Sequence, residues 1–206
     1  MAKIIQFKVN PVPEKFGPQP ARHKKQQQGK RRELEKPGQL NLFTGGKVVR
    51  LNQLTVFEEA LMLDDQGDKT AAKSRYLKAI EEHDSVADAY CNLGILEFKE
   101  AQNTKAIDFF TKCLKEEPRH FEAHYNLANL YAEVGNFALA KVHYEVSIEI
   151  EPTFPNSHFN LGLTLAMNKE FPQAIQALKH YRQLTPQSEH SQVDELILKL
   201  SSSVIG

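Results

Sequence analysis

Tryptophan is absent from this chain of 206 residues, and cysteine occurs only twice. One pair of cysteines, Cys91 and Cys113, is too few for the disulfide framework of a small secreted domain and does not suggest a zinc site. Both lie within helical patterns, where a free cysteine packs as a small apolar residue. We therefore interpret them as packing residues and expect no metal and no cofactor.

Long apolar runs are also missing. No stretch approaches the roughly 18 consecutive apolar residues that a membrane-spanning helix needs. The opening residues, MAKIIQFKVNPVPEKF, lack the apolar core of a secretory signal. We expect a soluble, cytoplasmic protein with no membrane partner.

The formal net charge of zero conceals an asymmetry along the chain. Residues 1–52 hold twelve basic and three acidic side chains, so the remainder holds fourteen basic and twenty-three acidic ones. A segment of net charge +9 therefore precedes one of net charge −9. One hypothesis is that the basic arm covers the acidic body and inhibits it.

The first part of the chain has the composition of a flexible segment. Residues 1–38 are rich in Pro, Gln, Lys and Arg and poor in apolar residues after Phe16, so they predict a disordered basic arm. Residues 39–52 contain two short apolar runs around Thr-Gly-Gly, which predict a β-hairpin or a short extended segment.

From about residue 53 the sequence changes to pairs of amphipathic helices that recur at a constant interval. The stretches YCNLGILEF, HYNLANLYA and HFNLGLTLA place an Asn-Leu pair at 92, 126 and 160. Four successive windows of this length align without an insertion or deletion. In the second window the aligned residues are Tyr90, Leu93, Gly94, Ala106, Phe110 and Pro118.

This pattern resembles the tetratricopeptide repeat, whose unit is a helix-turn-helix of about 34 residues. The resemblance implies an all-α fold, a right-handed α-solenoid of four TPR helix-turn-helix repeats. The four repeats would span residues 53–86, 87–120, 121–154 and 155–188. Residues 188–206 would form a C-terminal capping helix and tail, in which Ser188 caps the helix and an apolar stripe covers the last repeat. The stripe comprises Val193, Leu196, Ile197 and Leu200.

Small residues and prolines have defined tasks in such a repeat. Gly94 and Gly162 are expected to let paired helices approach closely. Gly67 and Gly135 are expected to close first helices in the left-handed conformation. Prolines are expected to end the second helices, because proline disfavours helical geometry in the residue before it. These are Pro118, Pro152 and Pro186.

The sequence contains little support for a catalytic site. In HFEAH, from His120 to His124, the glutamate stands one position too late for a metalloprotease motif, so we interpret His124 and His158 as packed residues. The stretch TGGK lacks the flanking residues of a phosphate-binding loop. We therefore predict that the protein is not an enzyme.

The recurring asparagine predicts a binding surface. The resemblance implies that first helices line a concave groove, so the residue before each packed leucine would face a bound peptide. A carboxamide both donates and accepts hydrogen bonds, which suits it to holding a peptide backbone. An alternative is that these asparagines only satisfy neighbouring helix ends. The predicted peptide-binding residues are Asn92, Asn126, Asn160, Asn129, Tyr125, Phe159, Phe98 and Lys99.

The function that follows is a non-enzymatic scaffold or adaptor that binds an extended or helical segment of another protein. The alternative is a nucleic-acid-linked adaptor tethered through its arm. The stretch HKKQQQGKRR could contact phosphates, and QLNLF resembles the motif by which bacterial proteins dock onto the DNA-polymerase sliding clamp. The clamp-motif residues would be Gln39, Leu40, Leu42 and Phe43.

Overall fold

The computed structural model of the chain describes residues 19–21 and 54–205. Every regular element in these residues is a helix, which confirms the all-α prediction. The described residues fall into two compact units, one comprising residues 54–85 and the other residues 19–21 together with 86–205.

The first unit is a single helix pair, α1 (Val56–Asp65) and α2 (Lys69–Glu81). Thr55 begins α1 with a capping box, in which Thr55 and Glu58 each accept a hydrogen bond from the backbone N–H of the other. Asp84, which replaces the proline of the other repeats, accepts a hydrogen bond from the Phe57 N–H at 2.8 Å. Asp84, the residue that departs from the repeat pattern, therefore caps the start of α1.

The second unit contains three further helix pairs and a last helix. Each pair is an antiparallel hairpin, because its connecting loop is short. The elements are α3 (Val86–Lys99), α4 (Asn103–Glu116), α5 (Phe121–Glu133), α6 (Phe137–Ile150), α7 (Pro155–Met167), α8 (Phe171–Leu184) and α9 (His190–Ile205).

Within a pair, the helices meet at the small residues that the sequence indicates. A Cβ atom added to Gly94 in α3 would lie 2.7 Å from the Phe110 ring of α4. A Cβ atom added to Gly162 in α7 would lie 2.7 Å from Leu178 Cγ of α8. Both distances are below contact distance, so glycine is required for these helices to pack as closely as they do.

The end of the second unit matches the predicted cap in part. The stripe of α9 packs into the core, with Val193 and Leu200 fully buried against the preceding repeat. Ser188, however, lies within a short 3-10 helix, Gln187–Glu189, and α9 begins at His190. The α-helix therefore begins after the predicted cap residue rather than at it.

The first helix of every pair is followed by a residue in the left-handed conformation. These four positions recur one repeat length apart and have φ values between +57° and +82°; they are Gly67, Ala101, Gly135 and Lys169. A side chain with a Cβ atom is strained in this conformation, at a cost of about 1–2 kcal/mol. At this position, two of the four repeats, those with Ala101 and Lys169, therefore have backbone strain that a glycine would relieve.

We expect Ala101→Gly to raise the free energy of unfolding by about 0.5–1 kcal/mol, because glycine relieves the strain but also gains entropy in the unfolded chain. Gly135→Ala is the matched control, since an added Cβ there would meet no atom within 4 Å and would test the backbone alone. Gly135→Ala should lower the free energy of unfolding by a similar amount. Urea unfolding followed by circular dichroism measures both, and equal stabilities of all three proteins would contradict the prediction.

Candidate peptide-binding site

Three helices of the second unit, α3, α5 and α7, lie side by side and present the recurring asparagines. We call the surface formed by Asn92, Asn126 and Asn160 the asparagine face. Asn92 is only 1% exposed and Asn126 is fully buried, although both are strongly polar. A buried carboxamide needs hydrogen-bond partners, so the partners of these two residues define what the face does.

Asn126 and Asn92 hold the main chain of two residues from the N-terminal arm. The Gln19 N–H donates to Asn126 Oδ1 at 2.9 Å, and Asn126 Nδ2 donates to the Gln19 carbonyl at 2.8 Å. The Ala21 N–H donates to Asn92 Oδ1 at 2.9 Å, and Asn92 Nδ2 donates to the Ala21 carbonyl at 3.0 Å. Each carboxamide therefore binds both backbone groups of one residue, without using that residue's side chain.

The two bound residues are two positions apart, the spacing at which an extended chain presents the same side again. Pro20 lies between them and is half-buried. Proline has no N–H to satisfy, and its ring favours an extended backbone. The segment runs from Asn126 towards Asn92, which is opposite to the order of the repeats.

The side chain of Ala21 adds an apolar contact. Ala21 is fully buried and belongs to the core cluster that contains Cys91, Ile95 and Leu127. A methyl group occupies this position in the described structure, and a charged side chain here would lose its hydration. The face thus combines backbone recognition with a preference for a small residue.

Asn160 has different partners from the other two asparagines. Its Nδ2 donates to the Tyr125 hydroxyl at 3.1 Å and to Asn129 Oδ1 at 3.0 Å. The Tyr144 hydroxyl donates to the same Asn129 oxygen at 2.6 Å. Asn129 Nδ2 is buried and has no hydrogen-bond partner among the described residues. A buried donor without a partner costs about 1–3 kcal/mol, so a carbonyl group placed here would be bound favourably.

The aromatic residues of the predicted site contribute more to the core than to the face. Tyr125 is fully buried and makes edge contacts with Tyr144 and Phe154, with ring centroids 6.1 and 5.2 Å apart. Phe159 is 7% exposed and packs against Tyr181. Burial raises the pKa of Tyr125 to about 12, so its hydroxyl stays protonated at neutral pH. The surface for apolar contact is therefore smaller than the sequence suggests.

Two other predicted residues lie at the end of α3. Phe98 is half-buried against the cluster that contains Ala21, and Lys99 is exposed. The clamp-motif candidates Gln39, Leu40, Leu42 and Phe43 lie outside the described residues, as does the segment HKKQQQGKRR. Their roles stay predictions.

The histidines that the sequence assigns to packing are structural. His124 and His158 are buried, and each forms a hydrogen bond through Nε2 to the carbonyl of the proline six residues earlier, at 3.1 and 2.9 Å. His124 Nδ1 also lies 3.0 Å from His143 Nδ1. One of these two nitrogens must accept the hydrogen bond, so the contact is lost if both rings are protonated.

This pair predicts a loss of stability in acid. Burial, followed by the nearby His124, lowers the pKa of His143 from 6.5 to about 4. Between these values the unfolded chain binds more protons than the folded chain, so stability present above pH 6.5 falls as the pH decreases towards 4. Because His143 is partly exposed, we expect its share of the fall from about pH 7 to about pH 5 to be about 1 kcal/mol.

Replacing His143 by Gln removes this contribution while keeping a polar side chain of similar length. Urea unfolding at both pH values should show a smaller acid-induced loss for the variant. His120 acts in the opposite direction, because Asp88 and Cys113 raise its pKa to about 10 despite its burial, but it is present in both proteins. An identical loss in the two proteins would show that the His143 ring does not titrate as described.

Comparison with protein families identifies the repeat. A family model described as tetratricopeptide repeat matches residues 109–141 and 143–176, and a second model with the same description matches residues 87–120. The chain is a tetratricopeptide-repeat protein. The resemblance inferred from the regular spacing is thereby confirmed.

The repeat protein is 28% identical over 99 residues to a UDP-N-acetylglucosamine–peptide N-acetylglucosaminyltransferase of Giardia intestinalis. The match covers 48% of this chain and 7% of that protein. The chain therefore corresponds to a small part of this curated relative.

Solved structures share the fold. MamA from AMB-1 superposes with a TM-score of 0.62 and 19% identity, over 72% of the repeat protein and 80% of MamA. The first TPR of Spaghetti (RPAP3), bound to the HSP90 peptide SRMEEVD, superposes with a TM-score of 0.54 and 18% identity, over 58% of the repeat protein and 94% of the Spaghetti chain.

Within the described residues, no helix is long and apolar enough to cross a membrane.

Proposed function

We propose that this repeat protein is a non-enzymatic interaction scaffold whose asparagine face binds an extended segment of a partner protein by its main chain. In the described structure, Gln19–Ala21 of the chain itself occupies that face. The arm then acts as an intramolecular inhibitor, and a partner segment gains access by displacing it.

The observation that carries the proposal is the pairing of two carboxamides with two backbone units. Four hydrogen bonds of 2.8–3.0 Å hold Gln19 and Ala21, and all four use main-chain atoms of the bound segment. Any extended peptide offers the same groups at the same two-residue spacing. The face is therefore suited to a peptide ligand and not only to its own arm.

The described contact also explains how the arm would inhibit. The charge asymmetry of the sequence suggests an electrostatic cover, but the observed bonds join neutral amide groups. Inhibition of this kind depends weakly on salt, since screening acts on charges. A tethered segment also competes at an effective concentration on the order of millimolar, so an untethered peptide binds poorly until the arm is weakened.

The unpaired Asn129 Nδ2 indicates how a partner could bind better than the arm. A partner peptide that continues beyond the position of Gln19 could place a carbonyl near Asn129 and Asn160. Satisfying this buried donor would favour the partner by about 1–3 kcal/mol. We infer that a true partner contributes a third backbone contact here.

The complex of the Spaghetti TPR with its HSP90 peptide supports a peptide ligand for a repeat of this fold. The relatives named above give no support to a sliding clamp or a nucleic acid, so that alternative stays a prediction that depends on residues 22–43.

The test uses the full chain and a fluorescent peptide that copies residues 14–26, EKFGPQPARHKKQ. In the opened variant, Ala21→Glu in the chain would bury a carboxylate in an apolar cluster and so release the arm. Fluorescence anisotropy should show the peptide binding the opened variant at least about 10-fold more tightly than the unmodified chain.

A peptide that carries the same Ala21→Glu change is the matched control and should bind neither protein. Equal affinity of the unmodified peptide for both proteins would show that the arm does not compete for the site. A failure of the peptide to bind the opened variant would show that the face does not capture extended peptides.

A further inference from the structure

The two cysteines of the chain meet a histidine inside the second unit. Cys91 belongs to α3, Cys113 to α4, and His120 is the residue that caps α5. One ligand atom from each, the two Sγ atoms and a ring nitrogen, lie within 4.8 Å of one another. Both cysteines are fully buried and His120 is 2% exposed. The sequence interpretation of the cysteines as packing residues did not foresee this meeting.

The same three positions of the next repeat hold different residues. Advancing each position by one repeat length replaces Cys91, Cys113 and His120 by Tyr125, Ser147 and Phe154. The rings of Tyr125 and Phe154 are 5.2 Å apart, so the fold brings these positions together in the next repeat as well. In the fourth repeat the first position is again aromatic, Phe159. Of the four repeats, only the second has two thiols and an imidazole at these three positions.

We propose that Cys91, Cys113 and His120 form a buried binding site for a thiophilic metal ion, with zinc as the expected occupant. Two thiolates and an imidazole are a common zinc donor set. Donor atoms around a tetrahedral zinc ion lie about 3.3–3.8 Å apart, since its bonds are about 2.0–2.3 Å long. The ligand atoms therefore need to approach one another by no more than about 1–1.5 Å. Binding releases to solvent the protons of the two thiols and, where the imidazole is protonated, one proton from His120.

Asp88 supplies the next group of the site. Its Oδ1 lies 3.0 Å from His120 Nε2, and its side chain is partly exposed. A carboxylate in this position either orients the imidazole through the nitrogen that the metal does not use or completes the coordination as a fourth ligand. The Ala123 N–H donates to His120 Nδ1 at 3.2 Å in the described structure. Metal binding replaces this cap hydrogen bond, because Nδ1 then either binds the metal or carries the ring proton.

The experiment is a metal titration of the full chain, reduced and freed of metal with a chelator. Zinc content by mass spectrometry should reach one ion per chain. Cobalt should give thiolate charge-transfer absorption and the visible bands of a tetrahedral site. Competition with a chromophoric chelator then yields the zinc affinity. Cys113→Ser and His120→Asn should each weaken it about 100-fold or more, because loss of an outer-shell partner alone costs about 10–100-fold.

His120→Asn is chosen because asparagine can still cap α5, so weakened binding does not arise from loss of the cap. His83→Asn is the matched control, since His83 is exposed and outside the cluster, and should leave the affinity unchanged. Reduced thiols that bind neither zinc nor cobalt would overturn the proposal in favour of packing alone. A Cys91–Cys113 disulfide that forms in air despite excess zinc would overturn it in favour of a cystine.

Discussion

Replacing both Asn92 and Asn126 by alanine is expected to lower the affinity of the opened Ala21→Glu variant for the 14–26 peptide by about 30-fold to about 1,000-fold. The two substitutions remove four hydrogen bonds to the peptide backbone. At about 0.5–1 kcal/mol each, these bonds are worth about 2–4 kcal/mol, and each 1.4 kcal/mol is about tenfold in affinity. Fluorescence anisotropy with the labelled peptide measures the loss.

The matched control is Asn168→Ala in the same variant, because Asn168 is the same residue type but is exposed at the end of α7. It should leave the affinity within about twofold of the parent, as expected for a surface substitution. Circular dichroism establishes that each protein stays helical. Affinity that survives removal of both carboxamides would mean that side-chain contacts, and not the backbone, hold the peptide.

The second large effect is on stability. Gly162→Val is expected to lower the free energy of unfolding by about 2–3 kcal/mol, because overpacking a well-packed core costs about 1–3 kcal/mol. The first added carbon would already lie 2.7 Å from Leu178 Cγ and 3.3 Å from the Ala174 carbonyl oxygen. Backbone atoms cannot yield as a side-chain end can, so α7 and α8 must separate. Urea unfolding measures the change.

A double-mutant cycle identifies the cause of this effect. Leu178→Ala alone leaves a cavity beside Gly162, whereas in combination with Gly162→Val the new side chain partly fills it. The double variant should therefore lose at least about 1 kcal/mol less than the two single losses added together, as contacting residues do. Strict additivity would show that the glycine is not required for the approach of these two helices.

The repeat is the part of this structure that the sequence specifies most completely. The glycines and prolines that recur once per repeat act locally, and the structure confirms their roles. Gly94 and Gly162 permit close helix packing, and Pro118 follows shortly after the end of α4. The left-handed position at Ala101 was missed, because alanine gives no sign of positive φ; only its place one repeat length from Gly67 and Gly135 indicates it.

The occupant of the asparagine face could not be predicted from local pattern. Gln19 and Ala21 are separated from their partners by 107 and 71 residues, and their contacts use backbone groups that every residue possesses. The sequence did indicate the side chains that bind, because Asn is unfavourable within a helix and its recurrence needs another reason. The three residues fall in a segment whose composition predicts disorder.

The cluster of Cys91, Cys113 and His120 escaped prediction for a related reason. Its members come from three separate helical elements, and the intervals between them match no compact metal motif. Only the repeat alignment places them at slots that touch in the folded chain.

The most direct test of the central claim is amide hydrogen exchange at Gln19 and Ala21 in the unmodified full chain, measured by nuclear magnetic resonance. Both N–H groups donate to buried carboxamide oxygens, so both should exchange at least about 30-fold more slowly than an unstructured chain, corresponding to about 2 kcal/mol of protection. Asn92→Ala with Asn126→Ala should abolish the protection. Exchange of both amides at the unstructured rate in the unmodified chain would contradict the claim that the arm occupies the asparagine face.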